Sequence, residues 1–145
     1  MKRIDVVNLQ KRVDIDIAAV RDFVKTSRSL VAQANDRTFT VAFIDDERME
    51  ELNDLFRGRS ATTDVLSFPH EPDDFDPDKD NLGDIVISVD QAQKQAIKNG
   101  LTLDLEIKQL ILHGLLHLCG YDHEVDDGEM NALEVELRQR AEIAF

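Results

Sequence analysis

Residues 102–123 of the chain read TLDLEIKQLILHGLLHLCGYDH and combine a dense apolar segment with three histidines. Thr102 is a favourable helix N-cap, and Gly120 is a residue type that ends helices. Between these two positions, leucine and isoleucine occupy nearly every side of a helix. Because a helix that is apolar all round is buried rather than exposed on one face, this segment predicts the central helix of the fold.

The rest of the chain supplies elements that can cover such a helix. Alternating or β-branched apolar residues predict strands over residues 4–9, 37–44, 65–68 and 83–88. Further helices are predicted from Asp16 with apolar positions as far as Ala34, from Asp45 to Gly58, from Ser88 to Gly100, and near the end of the chain with Met130, Leu133, Leu137 and Ala141 on one side. We therefore expect an α+β fold in which a mixed sheet of about four strands is packed against about five helices.

The size and composition of the chain fit one domain. Its 145 residues, 42% of them hydrophobic, are enough for a substantial core, so residues 1–145 are expected to form a single unit. No apolar run approaches the roughly 18 residues that a membrane span requires, and the first residues are not a leader, so we expect a soluble cytoplasmic protein. The single cysteine, Cys119, excludes an internal disulfide framework and suits a reducing compartment.

The net charge of −13 argues against a protein that holds nucleic acid on a broad basic face. The acidic residues are concentrated in residues 71–80 and 124–129, however, so the net charge is a poor guide to the local potential. A small basic track is predicted from Arg57, Arg59, Lys94 and Lys98.

His113, His117 and His123 have the spacing of a folded metal site. Residues four apart on a helix lie one above the other, so His113 and His117 can direct two imidazoles at one ion. Gly120 can leave the helix in the left-handed conformation and turn the chain, so that His123 approaches from a third direction. The pattern predicts a zinc site with three histidine ligands and an open coordination position, and hence a metal-dependent hydrolase.

Two other interpretations of the histidines are weaker. Two neutral imidazoles buried without partners on an apolar helix would cost several kcal/mol, whereas a shared metal satisfies both. A structural zinc normally has four protein ligands rich in cysteine, and Cys119 projects about 200° around the helix from His117. Cys119 is therefore better explained as a small buried hydrophobic residue.

The residue that follows the first histidine separates this pattern from the metzincin proteases. Those enzymes share the histidine spacing but carry a glutamate general base at that position, whereas this chain has Gly114. A peptidase is therefore disfavoured, and the base must come from elsewhere or be the zinc-bound hydroxide itself. Asp122 is a candidate for orienting an imidazole or assisting proton transfer, or it caps the turn.

A second distinctive block surrounds Arg57. An arginine at the end of a helix that faces a metal cleft can clamp a phosphate and stabilise transition-state charge. The alternative is an ordinary cation that offsets the dipole at a helix C-terminus. Thr63, Asp64 and Ser67 can equally hold the following loop together by local hydrogen bonds, and His70 is predicted to be a solvated loop residue.

The segment HGLLHLCGYDH, residues 113–123, resembles the HGxLHLxGYDH signature of the YbeY-type endoribonucleases at every fixed position. LNDLFRGRSATTDVLSFP, LGDIVIS and the Asp45-Asp46 pair are similar to that family's other blocks, and the likeness covers most of residues 40–135. The resemblance implies a zincin-like fold, one zinc per chain held by the three histidines, and an important arginine at Arg57. It also implies single-strand-specific cleavage in small-subunit ribosomal RNA 3′ end maturation, and a role in ribosome quality control.

Three functions are therefore considered. The first is a zinc-dependent endoribonuclease with ribosomal RNA as substrate, the small ribosomal subunit or its assembly factors as partners, and no role on DNA or membranes. The second is a non-catalytic ribosome-assembly factor with a structural zinc, in which Arg57 would be dispensable. The third is a zinc peptidase or amidohydrolase, which Gly114 disfavours.

Overall fold

The computed structural model describes residues 5–31, 34, 37–58, 61–70, 75 and 80–120. In this part of the chain the elements are, in order, β1 (Asp5–Asn8), α1 (Ile17–Leu30), β2 (Thr38–Ile44), α2 (Asp46–Arg57), β3 (Val65–Pro69), β4 (Asn81–Ser88), α3 (Val89–Asn99) and α4 (Leu103–Leu118). The expected α+β class, with four strands and four of the helices, is confirmed. The fifth predicted helix lies outside the described residues.

The four strands form one mixed sheet in the order β1-β2-β4-β3. β1, β2 and β4 are parallel, whereas β3 is antiparallel to β4 and lies at the edge. β3 extends one residue further than predicted, because Pro69 pairs with Gly83. A proline is tolerated there since an edge strand needs no N–H donor on its outer side.

Local capping explains where the helices begin. In each case the side chain of the predicted first residue accepts a hydrogen bond from the backbone N–H three residues later, and the caps are Asp16, Asp45, Ser88 and Thr102. α2 and α3 end at the predicted Gly58 and Gly100. α1 ends at Leu30, earlier than its apolar pattern indicated, because Val31 adopts an extended conformation and is still buried in the core.

The sheet separates two layers of packing. On β4, Ile85 and Ile87 point into the main core, which contains side chains of α1, α3 and α4. Val86 points to the opposite face and packs in a smaller core with Met49 of α2. α4 is a central helix, as its composition predicted, and it packs across β3 and β4. None of the described helices is both long and apolar enough to span a membrane.

Candidate metal centre

The histidines of α4 form a close pair on one side of the helix. Nε2 of His113 lies 3.0 Å from Nε2 of His117, and the two rings are edge to face with centroids 4.6 Å apart. Both side chains are only partly buried, although most of their neighbours on α4 are fully buried. The predicted i, i+4 pairing of the two imidazoles is therefore present.

The separation of these nitrogens fits two ligands of one metal ion. Tetrahedral zinc with Zn–N bonds of about 2.0–2.1 Å places two ligand nitrogens roughly 3.3 Å apart, close to the 3.0 Å between the two Nε2 atoms. An Nε2–H to Nε2 hydrogen bond between neutral imidazoles has the same length. The separation is therefore compatible with a metal shared by His113 and His117 as well as with a direct hydrogen bond between the two rings.

α4 ends where the sequence predicted. The helix ends at Leu118, Cys119 follows as its C-cap, and Gly120 has a φ of 97°. This backbone conformation is rare for residues with a side chain, so the glycine permits the turn. His123 and Asp122 lie outside the described residues, so the third ligand and the role of Asp122 stay predictions. Within the part of the chain that is described, no group of three or more His, Cys, Asp or Glu side chains could hold a metal.

Gly114 has a packing role that the sequence pattern did not indicate. A Cβ at this position would lie 2.9 Å from Cγ2 and 3.1 Å from Cγ1 of Ile85, which is fully buried in β4. The absent side chain therefore lets α4 approach the sheet closely. Any larger residue, a glutamate included, would have to displace this part of the core.

Edge strand β3 lies beside the histidine pair. The Ser67 hydroxyl donates a long hydrogen bond, 3.5 Å, to the carbonyl oxygen of Gly114, the residue after His113. Ser67 thus contacts α4 rather than only its own loop. Asp64 accepts a backbone hydrogen bond from Ser88 N and so joins the start of β3 to the end of β4.

Arg57 is exposed at the end of α2, on the face of the sheet opposite α4. No hydrogen bond or ion pair holds its guanidinium among the described residues, which leaves it available to an anion. The loop that follows returns along α2, where Nδ2 of Asn53 donates to the carbonyl oxygen of Ala61. The loop then leads into β3, the strand that contacts α4, while Arg59 lies outside the described residues.

Asp46 forms a polar cluster that the sequence analysis missed. Its carboxylate accepts hydrogen bonds from Ser88 Oγ at 2.7 Å, Thr62 Oγ1 at 2.8 Å and Gln91 Nε2 at 2.8 Å. Burial alone would raise the pKa of Asp46, but these three donors and the charge of Lys94 outweigh it and lower the pKa. The only signal in the sequence was the second aspartate beside the Asp45 cap.

The predicted basic track is divided in this structure. Lys94 acts on Asp46 at the start of α2, whereas Arg57 lies at its end, about 16 Å of helix away at 1.5 Å per residue. Lys94 and Lys98 are both exposed on α3. Lys94 and Arg57 are thus associated with opposite ends of α2, and a track that joins Arg57 to Lys98 stays a prediction.

Cys119 is partly buried and packs against the main core, in keeping with its expected apolar role. Burial raises the pKa of its thiol to about 11, against a smaller opposing effect of Arg37. At neutral pH the side chain is therefore a thiol and not a thiolate.

Comparisons with known proteins agree on one family. The family model described as endoribonuclease YbeY matches residues 5–142. Endoribonuclease YbeY of Nautilia profundicola is 51% identical over 102 residues, which are 70% of either chain. Endoribonuclease YbeY of a Nitratiruptor species is 41% identical over 133 residues, 89% of either chain. The solution structure of a Thermotoga maritima protein, 24% identical, has a similar fold with a TM-score of 0.66, covering 96% of this chain and 89% of the other.

Proposed function

This chain belongs to the endoribonuclease YbeY family, whose members are hydrolases that act on RNA, and on that premise we propose that it is a zinc-dependent endoribonuclease specific for single strands. The substrate we propose is ribosomal RNA, at the 3′ end of the small-subunit molecule. A role in ribosome quality control, with the small subunit or its assembly factors as partners, belongs to the same proposal. The main support for this proposal is the distance of 3.0 Å between the Nε2 atoms of His113 and His117 on α4, in a chain of this family.

We propose His113, His117 and His123 as the three ligands, and the described residues include the first two. One zinc per chain held in this way would supply Lewis-acid activation of water and of a phosphoryl oxygen. The proposed fold is zincin-like, since a helix carrying two histidines packs beneath an antiparallel edge strand, β3. In this arrangement β3 would form one rim of the cleft that receives the substrate.

The proposed role of Arg57 is to bind a phosphate and stabilise the charge that develops on it. Its exposure at the end of α2 leaves the guanidinium accessible to a polyanion, and the path of the chain into β3 leads towards the histidine pair. Asp122 is proposed to orient an imidazole or to assist proton transfer. Cytoplasmic location completes the proposal, because ribosomal RNA is processed there.

Elemental analysis of the purified protein, combined with an RNA cleavage assay, tests the proposal. The wild type should contain about one zinc per chain and cleave single-stranded ribosomal RNA but not DNA of the same sequence. His117→Ala should lose the metal and the activity, and Arg57→Ala should keep the metal and lose the activity. His70→Ala and Arg48→Ala are matched controls, since His70 is outside the histidine cluster and Arg48 pairs with Glu51 on the surface of α2.

The alternative functions give different results in the same assay. A non-catalytic assembly factor would bind metal yet show no cleavage that depends on Arg57. Equal activity in His117→Ala and the wild type would point to a contaminating nuclease and would refute the claim that this chain is the source of the cleavage. A peptidase would release peptide fragments. This function is disfavoured because Gly114 offers no carboxylate and because a side chain at this position would collide with Ile85.

A further inference from the structure

Phe56 and Phe68 form an aromatic pair beside Arg57. Their ring centroids are 5.2 Å apart and the rings are inclined by 70°, an edge-to-face arrangement. Phe68 lies in edge strand β3 and is partly buried against the small core that contains Met49. It can therefore support the ring of Phe56 from below.

Most of the Phe56 ring remains in contact with solvent. The residue is 60% exposed, which is unusual for a large aromatic side chain that is already held against another ring. An exposed ring that is held in one orientation keeps apolar surface in contact with water, so it gains only part of the free energy of burial. Such a ring is well placed for a flat ligand that stacks on its free face.

The position of the pair links it to the candidate metal centre. Phe68 is adjacent to Ser67, whose hydroxyl contacts the carbonyl oxygen of Gly114 on α4. Successive side chains of a strand point to opposite faces, so Phe68 lies on the α2 side of β3 and Ser67 on the α4 side. An extended strand of RNA that crosses the β3 edge could reach both sides.

We propose that the free face of Phe56 is a stacking platform for one base of single-stranded RNA, with Arg57 binding a neighbouring phosphate. The inference rests on the proposed function and specifies how that site selects unpaired RNA. A base in a duplex cannot present its face to the ring, whereas an unpaired base of any sequence can. Arg57, the next residue, is exposed and supplies a positive charge at the end of α2, whereas Arg48 near its start is paired with Glu51.

A protein partner fits this surface less well. A stable protein interface buries about 800 Å² on each side, with its anchors in well-packed pockets. Phe56 and Leu55 are the only large apolar side chains exposed on α2, and Leu55, 74% exposed, precedes Phe56 by about 100° of helical rotation. Two exposed apolar side chains on neighbouring sides of one helix are too few to supply the well-packed anchors of such an interface.

Fluorescence of introduced tryptophans tests the platform directly, because the chain contains no tryptophan. We expect Phe56→Trp to bind a single-stranded 12-nucleotide oligoadenylate at least as well as the wild type, with its emission quenched by the stacked base. Phe56→Ala should bind that RNA about 5- to 150-fold more weakly, the range expected for the loss of one stacked base. Leu55→Ala and Leu55→Trp are the matched controls, expected to show wild-type affinity and little quenching.

Three results would overturn the platform. Phe56→Ala could bind the oligoadenylate as tightly as the wild type, or Leu55→Trp could be quenched as strongly as Phe56→Trp. The third is that Phe56→Ala weakens the binding of a fully paired RNA of the same length by the same factor. Thermal unfolding of each variant excludes a loss of fold, since Phe56 and Leu55 are mainly exposed. Failure of the proposed function is separable from failure of the platform. A wild type that binds RNA through Phe56 but never cleaves it refutes only the proposed function. A Phe56→Ala variant with an unchanged KM for cleavage refutes only the stacking platform.

Discussion

At the scale of single residues, Gly114 does two things at once. It occupies the position where a metzincin protease carries its general base, and it is a point where a Cβ would collide with the sheet. The contact atoms belong to Ile85, which is fully buried, and in a close-packed core a buried side chain can shift only by displacing its neighbours. The same absence of a side chain thus disfavours a peptidase function and leaves room for Ile85 against α4.

Gly114→Ala is expected to destabilise the protein by about 1–3 kcal/mol through overpacking, although alanine at an unconstrained helical position would be favourable by about 1 kcal/mol over glycine. The measurement is urea unfolding of the wild type, Gly114→Ala, Ile85→Ala and the double variant. In the Ile85→Ala background the alanine should cost less or become favourable, because the colliding atoms are gone. Strictly additive effects of the two substitutions would contradict the proposed contact.

The residues of the metal site differed in how far the sequence could predict them. The pairing of His113 with His117 follows from helical periodicity alone, so spacing was sufficient. The role of Gly114 in packing depends on Ile85, which lies 29 positions earlier in another element, and no local pattern reports such a contact. The hydrogen-bonding role of Asp46 could not be predicted for the same reason, since its partners come from the loop before β3, from β4 and from α3.

At the scale of elements, Asp46 joins the start of α2 to the start of α3. Its carboxylate accepts from Ser88 and Gln91 at the first turn of α3 and from Thr62 in the loop before β3. Its own backbone N–H donates to Asp90 Oδ2 at 2.9 Å. The cluster therefore fixes the end of α2 opposite Arg57, together with the loop that carries the chain towards β3.

Asp46→Ala is expected to reduce the free energy of unfolding by about 1–3 kcal/mol at pH 7, because three donors lose a common acceptor. The pKa of Asp46 is lowered in the folded protein, so its charge stabilises the fold above the unfolded pKa of about 3.9. This contribution is lost as the pH falls through the lower folded pKa. Urea unfolding at pH 7, 5 and 3.5 should show the gap between wild type and Asp46→Asn closing with acid.

Glu47→Ala provides the control for that pH series, since Glu47 is exposed in the same turn of α2. Its difference from the wild type should be small at every pH. A gap between wild type and Asp46→Asn that stays constant from pH 7 to 3.5 would show that the charge of Asp46 contributes nothing to stability.

The start of each described helix could be predicted because capping is a local interaction. Asp16, Asp45 and Thr102 each bond to the backbone three residues later, within one stretch of sequence. The order of the strands and the face on which α2 packs could not be predicted in this way. They are determined by contacts such as Val86 with Met49, which form only when distant segments meet.

At the scale of the whole molecule, the main core formed by the described residues contains no histidine. Its buried side chains come from α1, β2, β4, α3 and α4, and they pack together through the sheet rather than through a metal. The net charge of −13 argues against a broad basic face, so RNA contacts must be local, at sites such as Arg57. We therefore expect the folding of this domain not to depend on its metal.

Chelation should therefore leave the protein folded. We expect EDTA-treated wild type to retain its helical circular dichroism and a cooperative unfolding transition, because the apolar core supplies the driving force. Zinc added back at about 100 times its Kd should stabilise the native state by about 2.7 kcal/mol, raising the Tm by several degrees. His117→Ala should lose this shift and His70→Ala should retain it. Loss of the helical signal on chelation would instead identify a structural zinc, the result expected of the non-catalytic assembly factor.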